Sequence, residues 1–301
     1  MKARAVLLVN LGTPSAPTPA AVRSYLAQFL SDPRVVRLPR VLWLPVLYGI
    51  VLNTRPAQSA KKYAAIWTAE GSPLAHHTRE QARLLAQKTG RQVEYAMRYG
   101  APSIDSALER LKDGFVVVPL YPQYSESTTQ SVADVIPAGT PMVQNFHDHP
   151  GYVGALAASV RRHWQAQGRG PILLMSFHGL PRRGAERYAA QCGATARLLA
   201  KALELTDAEW RITFQSRFGF AEWLQPYTEP ALKALARSGC ERVDVICPGF
   251  VCDCLETLEE LGIMARRAFL AAGGQQFHLL PCLNESPEWI AALADIAQTR
   301  A

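Results

Sequence analysis

Eight short apolar runs punctuate the chain, at 5–10, 93–99, 115–120 and 141–146 and again at 172–177, 211–215, 243–247 and 277–280. Most are continuous rather than alternating, so both faces of each strand are covered, as in parallel sheets flanked by helices. The intervals leave room for crossover helices, such as those expected over 188–205 and 230–237. The fold class that follows is α/β, with two similar doubly wound domains, each a four-stranded parallel sheet. We expect an N-terminal domain over 1–136 and a C-terminal domain over 137–285, because Pro137 and Pro141 bracket a break with Gly139 between them. A last helix over 286–301 is expected to pack back on the first domain, with an active-site cleft between the two.

At 301 residues the chain has material for about two domains and large cores. Lys and Arg number 32 against 25 Asp and Glu, a net charge of +7 that suits anionic partners. Nucleic acid is a poor candidate, since the basic residues are scattered and no helix-turn-helix, zinc-finger or RNA-binding signature is present. The apolar run after Met1 is too short for a signal-peptide core, so the expected location is the cytoplasm. Six cysteines, at 192, 240, 247, 252, 254 and 282, lack the spacing of a disulfide scaffold and read as reduced, mostly buried thiols.

Two strand ends carry chemistry. The run 172–177 delivers His178 into a turn with Gly179 and Pro181, and imidazole is both a base near neutral pH and a ligand for Fe(II), Co(II) or Zn(II). A lone histidine is equally compatible with a structural role. After the run 243–247 come Asp253, Glu256 and Glu260. Asp253 three residues before Glu256 fits a helix capping box. Glu256 and Glu260, one turn apart, repel by a few tenths of a kcal/mol in an isolated helix, a pair that stability alone would not choose. Carboxylates aimed from a helix start into a cleft bind a cation or relay protons.

Other loops suit a flat, acidic ligand: Leu120-Tyr-Pro-Gln-Tyr-Ser125 and Phe214-Gln-Ser-Arg-Phe-Gly219 with Trp223 offer rings for stacking, and Arg55, Arg98 and Arg217 offer partners for carboxylates. Each is equally explicable as packing or a surface ion pair. The glycine fingerprints of nucleotide-binding α/β proteins are missing, and neither Ser176 nor Ser216 sits in a nucleophile elbow. Between Pro39 and Pro56, Trp43, Leu44, Val46, Leu47, Tyr48, Ile50, Val51 and Leu52 crowd together, flanked by Arg37, Arg40 and Arg55. The stretch is too short to span a bilayer. It can lie on an anionic membrane surface, form an apolar lip to a cleft, or be an ordinary buried helix.

Taken together, these motifs resemble the ferrochelatases, which insert Fe(II) into a porphyrin. The likeness runs almost end to end: Val9-Asn-Leu-Gly-Thr-Pro14, Phe29-Leu-Ser-Asp-Pro33, Gly71-Ser-Pro73, Met97-Arg-Tyr99, Leu120-Tyr-Pro-Gln-Tyr-Ser125, Ser176-Phe-His-Gly-Leu-Pro181, Phe214-Gln-Ser-Arg217 with Trp223, and Gly249-Phe250 with Asp253-Cys-Leu-Glu-Thr-Leu258. The resemblance implies a lyase that converts protoporphyrin IX to protohaem with release of two protons, the last step of haem formation. It implies catalytic roles for His178 and Glu256, which would also ligate the metal, with Asp253 and Glu260 as acidic companions. Arg55, Tyr63, Ser72, Arg98, Tyr121, Trp223 and Phe250 fall where family members line the macrocycle and its propionates.

The same resemblance makes Fe(II) and porphyrin substrates and implies no cofactor. Glu126 stands where cluster-bearing relatives place a cysteine, and the sequence ends without their Cys-rich extension, so an animal-type [2Fe–2S] cluster is not expected. The segment 41–52 resembles the porphyrin access lip that some members also press against a membrane, which implies peripheral contact with its inner face. Leu11 and Ser15 stand where coproporphyrin users tend to carry tyrosine, which favours protoporphyrin, with coproporphyrin III as the alternative. The connections 131–141 and 181–188 are shorter than usual for the family. The competing class is a non-catalytic haem or porphyrin carrier or sensor, which would need the arginines and rings but no row of carboxylates.

Overall fold

The computed structural model describes residues 5–111, 114–217, 219 and 221–299. Among these, seven strands form two parallel sheets. The first has β1 (Ala5–Gly12) at its centre, between β2 (Gln92–Tyr99) and β3 (Phe115–Pro119). The second follows the order β5–β4–β6–β7, with β4 at Leu173–His178, β5 at Trp210–Gln215, β6 at Arg242–Ile246 and β7 at Gln276–Leu279. The central strands are buried on both faces: Ala5 to Val9 in β1 and Leu173 to Phe177 in β4 are inaccessible residue after residue. That is the environment a continuous apolar run encodes.

The first sheet has three strands, not the four expected. The run 141–146 makes only one parallel bridge, Met142 to Val117, held by the Val117 N–H on the Pro141 carbonyl and the Val143 N–H on the Val117 carbonyl, both at 2.9 Å. Pro141 has no N–H to add to a ladder, and Val143 and Phe146 are buried by packing instead. The run is apolar because it is core, not because it is a paired strand.

Helices cover the sheets. Glu186–Ala202 buries Tyr188, Cys192, Thr195, Ala196 and Leu199, a stripe at three- and four-residue spacing. Pro19, Pro73 and Pro150 each open a helix, where the missing N–H costs nothing. Thr228–Arg237 and Pro287–Thr299 are helical as well. The chain divides into two units, 1–145 with 294–301, and 146–293.

Arg40–Val46 and Leu52–Ile66 are α-helical, joined by a π-helical turn, Leu47–Val51. Leu47 and Leu52 are buried, whereas Val41 is 81% and Leu42 66% exposed, with Tyr48 and Ile50 also outward. An ordinary buried helix is therefore excluded for this segment. Among the described residues no helix is long and apolar enough to cross a membrane.

Candidate active site

In the second sheet the chain leaves β4 toward β5 and returns on the other side to β6, so the switch point lies between β4 and β6. Ligands of open α/β sheets bind outside the carboxyl ends of the strands at such a point. His178 is the last residue of β4, in register with Gln215, the last of β5. Its Nδ1 lies 2.6 Å from the Gly179 carbonyl oxygen. A carbonyl only accepts, so Nδ1 carries a proton, and in the neutral ring the lone pair is on Nε2, the tautomer of a base or a metal ligand. The Tyr188 hydroxyl donates to the His178 carbonyl at 2.8 Å and fixes the backbone from the other side.

Gly179 then turns the chain. Its N–H donates to the Gln215 carbonyl at 2.7 Å, and a Cβ on it would stand 2.6 Å from that oxygen and 3.3 Å from the Trp223 ring. Only glycine lets the loop pass that close. Pro181 forms a bridge with Trp223, so the predicted Trp223 is held against the loop that follows His178. Phe250, in the turn after β6, places its ring centroid 6.3 Å from that of His178.

The acidic segment adopts an unexpected form: Glu256–Ala265 is a ten-residue π-helix. Such wide turns are rare, usually short and frequent at functional sites. Gln215 ties its start to β5, its Nε2 donating to the Glu256 carbonyl at 2.7 Å while its Oε1 accepts from the Ser176 hydroxyl at 2.7 Å. Glu260 accepts from the Ser216 N–H at 2.7 Å and from the Ser216 hydroxyl. Ser216 adopts φ +64, a left-handed conformation that aims both donors at one carboxylate. Burial pushes the Glu260 carboxyl above the usual carboxylate range and the Glu256 charge adds to that, while the Ser216 bonds and the His178 ring oppose it. Glu260 is thus electrostatically linked to both His178 and Glu256.

Asp253 does not cap this helix with Glu256. It is buried, and its carboxylate accepts from the Thr257 hydroxyl at 3.1 Å, the Cys282 N–H at 3.2 Å and the Asn284 side-chain amide at 2.7 Å. The Asn284 carbonyl oxygen in turn accepts the Asp253 N–H at 2.9 Å. Asp253 therefore anchors the loop between β6 and the π-helix. Cys247, Cys254 and Cys282 surround it, and burial pushes all three thiols well above their usual range, so they are neutral packing groups. All six cysteines are free, and Cys240 alone among them is only half-buried.

The first unit holds the remaining predicted residues. Its switch point lies between β1 and β3, where Thr13 donates to Ser72 at 2.8 Å and Tyr121 follows β3. The Tyr121 hydroxyl is buried with no hydrogen-bond partner, which a ligand acceptor would satisfy. Tyr63 is buried edge-on against Tyr25 and Trp67. Burial lowers the Arg55 pKa. Arg98 is committed within the fold: its guanidinium pairs with Asp32 at 2.7 Å and bonds Ser131, and Asp32 also accepts from Tyr99 and Ser131. Gly12 at φ +115 lets β1 turn beside this group, because a Cβ would lie 1.7 Å from the Tyr99 carbonyl oxygen.

The family model for ferrochelatase matches residues 3–301. The chain belongs to the ferrochelatase family. It is 57% identical to the ferrochelatase of Aromatoleum aromaticum, with 98% of this chain and 87% of that one aligned. The ferrochelatase of Azoarcus sp. strain BH72 is also 57% identical, over 96% of this chain and 85% of that one, and that of Herminiimonas arsenicoxydans is 55% identical, over 98% and 86%. Among solved structures, SirB from Bacillus subtilis matches with a TM-score of 0.57 at 13% identity, covering 99% of this chain and 96% of that one. CbiX, the terminal enzyme of sirohaem biosynthesis in denitrifying bacteria, matches at 0.52 and 18% identity, with 97% of each chain covered. At those identities the likeness shows the shared chelatase-class fold alone.

Sequence reasoning passed over the supports of this ferrochelatase-family site. Gln215 and Ser216 stand within the Phe214–Gly219 motif, and a polar pair closing an apolar strand was the available signal. Asn284 carried none, being brought to Asp253 only by the fold. Glu259, a buried acid within the π-helix, was also passed over.

Proposed function

We infer that the chain is a ferrochelatase that inserts Fe(II) into protoporphyrin IX, giving protohaem and two protons. The observation that carries this reading is the convergence of one imidazole with a free Nε2 and two linked carboxylates on the switch point of the second sheet, in a chain of this family.

Insertion must remove two pyrrole protons, strip water from Fe(II) and bend the macrocycle so that a nitrogen lone pair is accessible. Glu256 and His178 are the proposed ligands that receive the substrate metal; as Fe(II) passes to the four ring nitrogens both groups are freed, His178 Nε2 to take one pyrrole proton and the Glu256 carboxylate the other. Glu260, whose raised pKa brings it nearer to neutrality, passes protons on toward solvent. Asp253 acts by position, holding the loop that aims Glu256. Phe250 and Trp223 flank the His178 loop as walls for a flat ligand, and straining the ring against such walls is how remote binding energy lowers the barrier. Arg55, Tyr63, Ser72, Arg98 and Tyr121 are proposed to contact the macrocycle and its propionates.

The outward face of 41–50 with Arg37 and Arg40 supports peripheral binding to an anionic membrane, where apolar porphyrins partition.

The test is anaerobic mixing of protein, Fe(II) and protoporphyrin IX, following loss of porphyrin fluorescence and gain of haem absorbance. His178→Ala and Glu256→Gln are each expected to lower kcat by about 10²–10⁴-fold with circular dichroism unchanged. Near-normal turnover in either folded variant would reject its assignment. Binding without insertion would point to a carrier, or, if coproporphyrin III turns over instead, to that substrate.

A further inference from the structure

A second set of metal-binding groups lies away from this site. Asp244 on β6 and His278 on β7 are paired in register, so their side chains share one face of the sheet. The helix Pro150–Gln167 covers that face, as the bond of its Trp164 Nε1 to Asp244 at 2.7 Å shows, and it contributes His163. The three residues each offer a donor atom, and these atoms lie within 4.8 Å of one another. Asp244 also pairs in register with Leu173, at the start of β4, and His178 lies five residues on. At ~3.3 Å per residue the two sites are about 16 Å apart along the strand.

Three features make this more than a chance grouping. Asp244 is wholly buried and tightly oriented: Trp164 and the Gly170 N–H, at 2.9 Å, both donate to Oδ2, which Arg242 Nη2 also approaches at 3.4 Å, while among the described residues Oδ1 receives only the Arg242 Nε, at 3.1 Å, and keeps acceptor capacity. Secondary bonds of this kind orient a carboxylate ligand. The His163 and His278 rings meet edge to face, with centroids 5.4 Å apart and planes at 79°, so neither stacks on the other. The Nε2 of His163 is buried with no hydrogen-bond partner, an acceptor or donor that packing alone leaves unsatisfied.

We propose that His163, Asp244 and His278 form a binding site for a borderline divalent transition metal of the Zn(II), Co(II) or Ni(II) class, separate from the site of metal insertion. Two imidazoles and one carboxylate match the preferences of those ions. Ligands at ~2.0–2.1 Å around a tetrahedral metal stand about 3.3 Å apart, so the donors must close by small side-chain rotations on binding. The Arg242 guanidinium opposes a cation held by charge alone, which disfavours Mg(II) and Ca(II) and leaves imidazole coordination as the source of affinity. The bound ion would tie the covering helix to β6 and β7.

The test uses the His178→Ala/Glu256→Gln chain, in which the proposed ligands of the substrate metal are gone. Titration with Co(II), followed by its visible d–d absorption and displaced by Zn(II), is expected to show one equivalent bound with tetrahedral intensity. Adding His163→Gln and His278→Gln is expected to weaken it by about 100-fold or more. Unchanged binding in a folded quadruple variant, or no bound equivalent in the parent, overturns the proposal. If the quadruple variant does not fold, anomalous diffraction from zinc-soaked crystals of the parent decides. A peak within bonding distance of both imidazoles supports the site, and zinc absent from that position refutes it.

Discussion

Gly179 decides where His178 points. Its N–H bond to Gln215 and its closeness to the Trp223 ring leave no room for a methyl group, so Gly179→Ala must push the loop off β5. We expect a Tm lower by about 2–10 °C, as for other overpacked sites, and a fall in kcat of at least about tenfold. A variant with wild-type kcat would show that His178 does not depend on this turn. Glu260 carries a different signature. Its folded pKa is raised, so the native state binds a proton more tightly than the unfolded chain, and stability falls as pH rises from the unfolded value through the folded one. Glu260→Gln keeps acceptor and donor for Ser216 but has no charge to bury. Its Tm should match the wild type below about pH 4 and exceed it by a growing margin as pH rises, levelling off once Glu260 is ionised. Thermal melts across pH check this, and a variant curve that falls below the wild type with rising pH would reverse the sign.

At the level of elements, the join between β5 and the π-helix rests on one buried side chain. Gln215→Leu takes the Nε2 donor from the Glu256 carbonyl, at a cost of about 1–3 kcal/mol, whereas the Ser176 hydroxyl keeps Thr228 at 2.9 Å. We expect a lower Tm and faster amide exchange confined to the first turns of Glu256–Ala265, measured by hydrogen exchange; uniform protection would assign that helix's stability elsewhere. The strands of the second sheet were legible because a short, continuous apolar run between polar turns suits a strand covered on both faces, and the placement of His178 and Glu256 at and beyond strand ends was legible because strand ends carry polar loops. The fourth run of the first half was misread, since an apolar stretch that packs without pairing has the same composition as a strand. The π-helix was not legible: Glu256, Leu258, Leu261 and Ala265 satisfy an α-helical pattern equally well. His163, Asp244 and His278 come from three separate elements, and only the β6–β7 register brings two of them side by side.

The molecule as a whole carries +7, and its exposed aliphatic side chains include a set between 38 and 50 beside Arg37 and Arg40. Burying Val41, Leu42 and Ile50 in lipid gains about 1.5–3 kcal/mol each if fully removed from water, and each arginine near an anionic surface adds about 1 kcal/mol. Either contribution alone gives weak binding, whereas their sum predicts a reversible peripheral complex. Vesicles containing phosphatidylserine should therefore sediment the protein, and neutral phosphatidylcholine vesicles should sediment far less. Raising salt from about 0.05 to 0.5 M should weaken the anionic complex without abolishing it, because screening removes only the charged part. Val41→Glu with Leu42→Glu should remove binding to both vesicle types while leaving Tm unchanged, since both side chains already face water. Equal binding of that variant would locate the contact on another surface, and complete loss of wild-type binding at high salt would mean that the apolar face never enters the lipid.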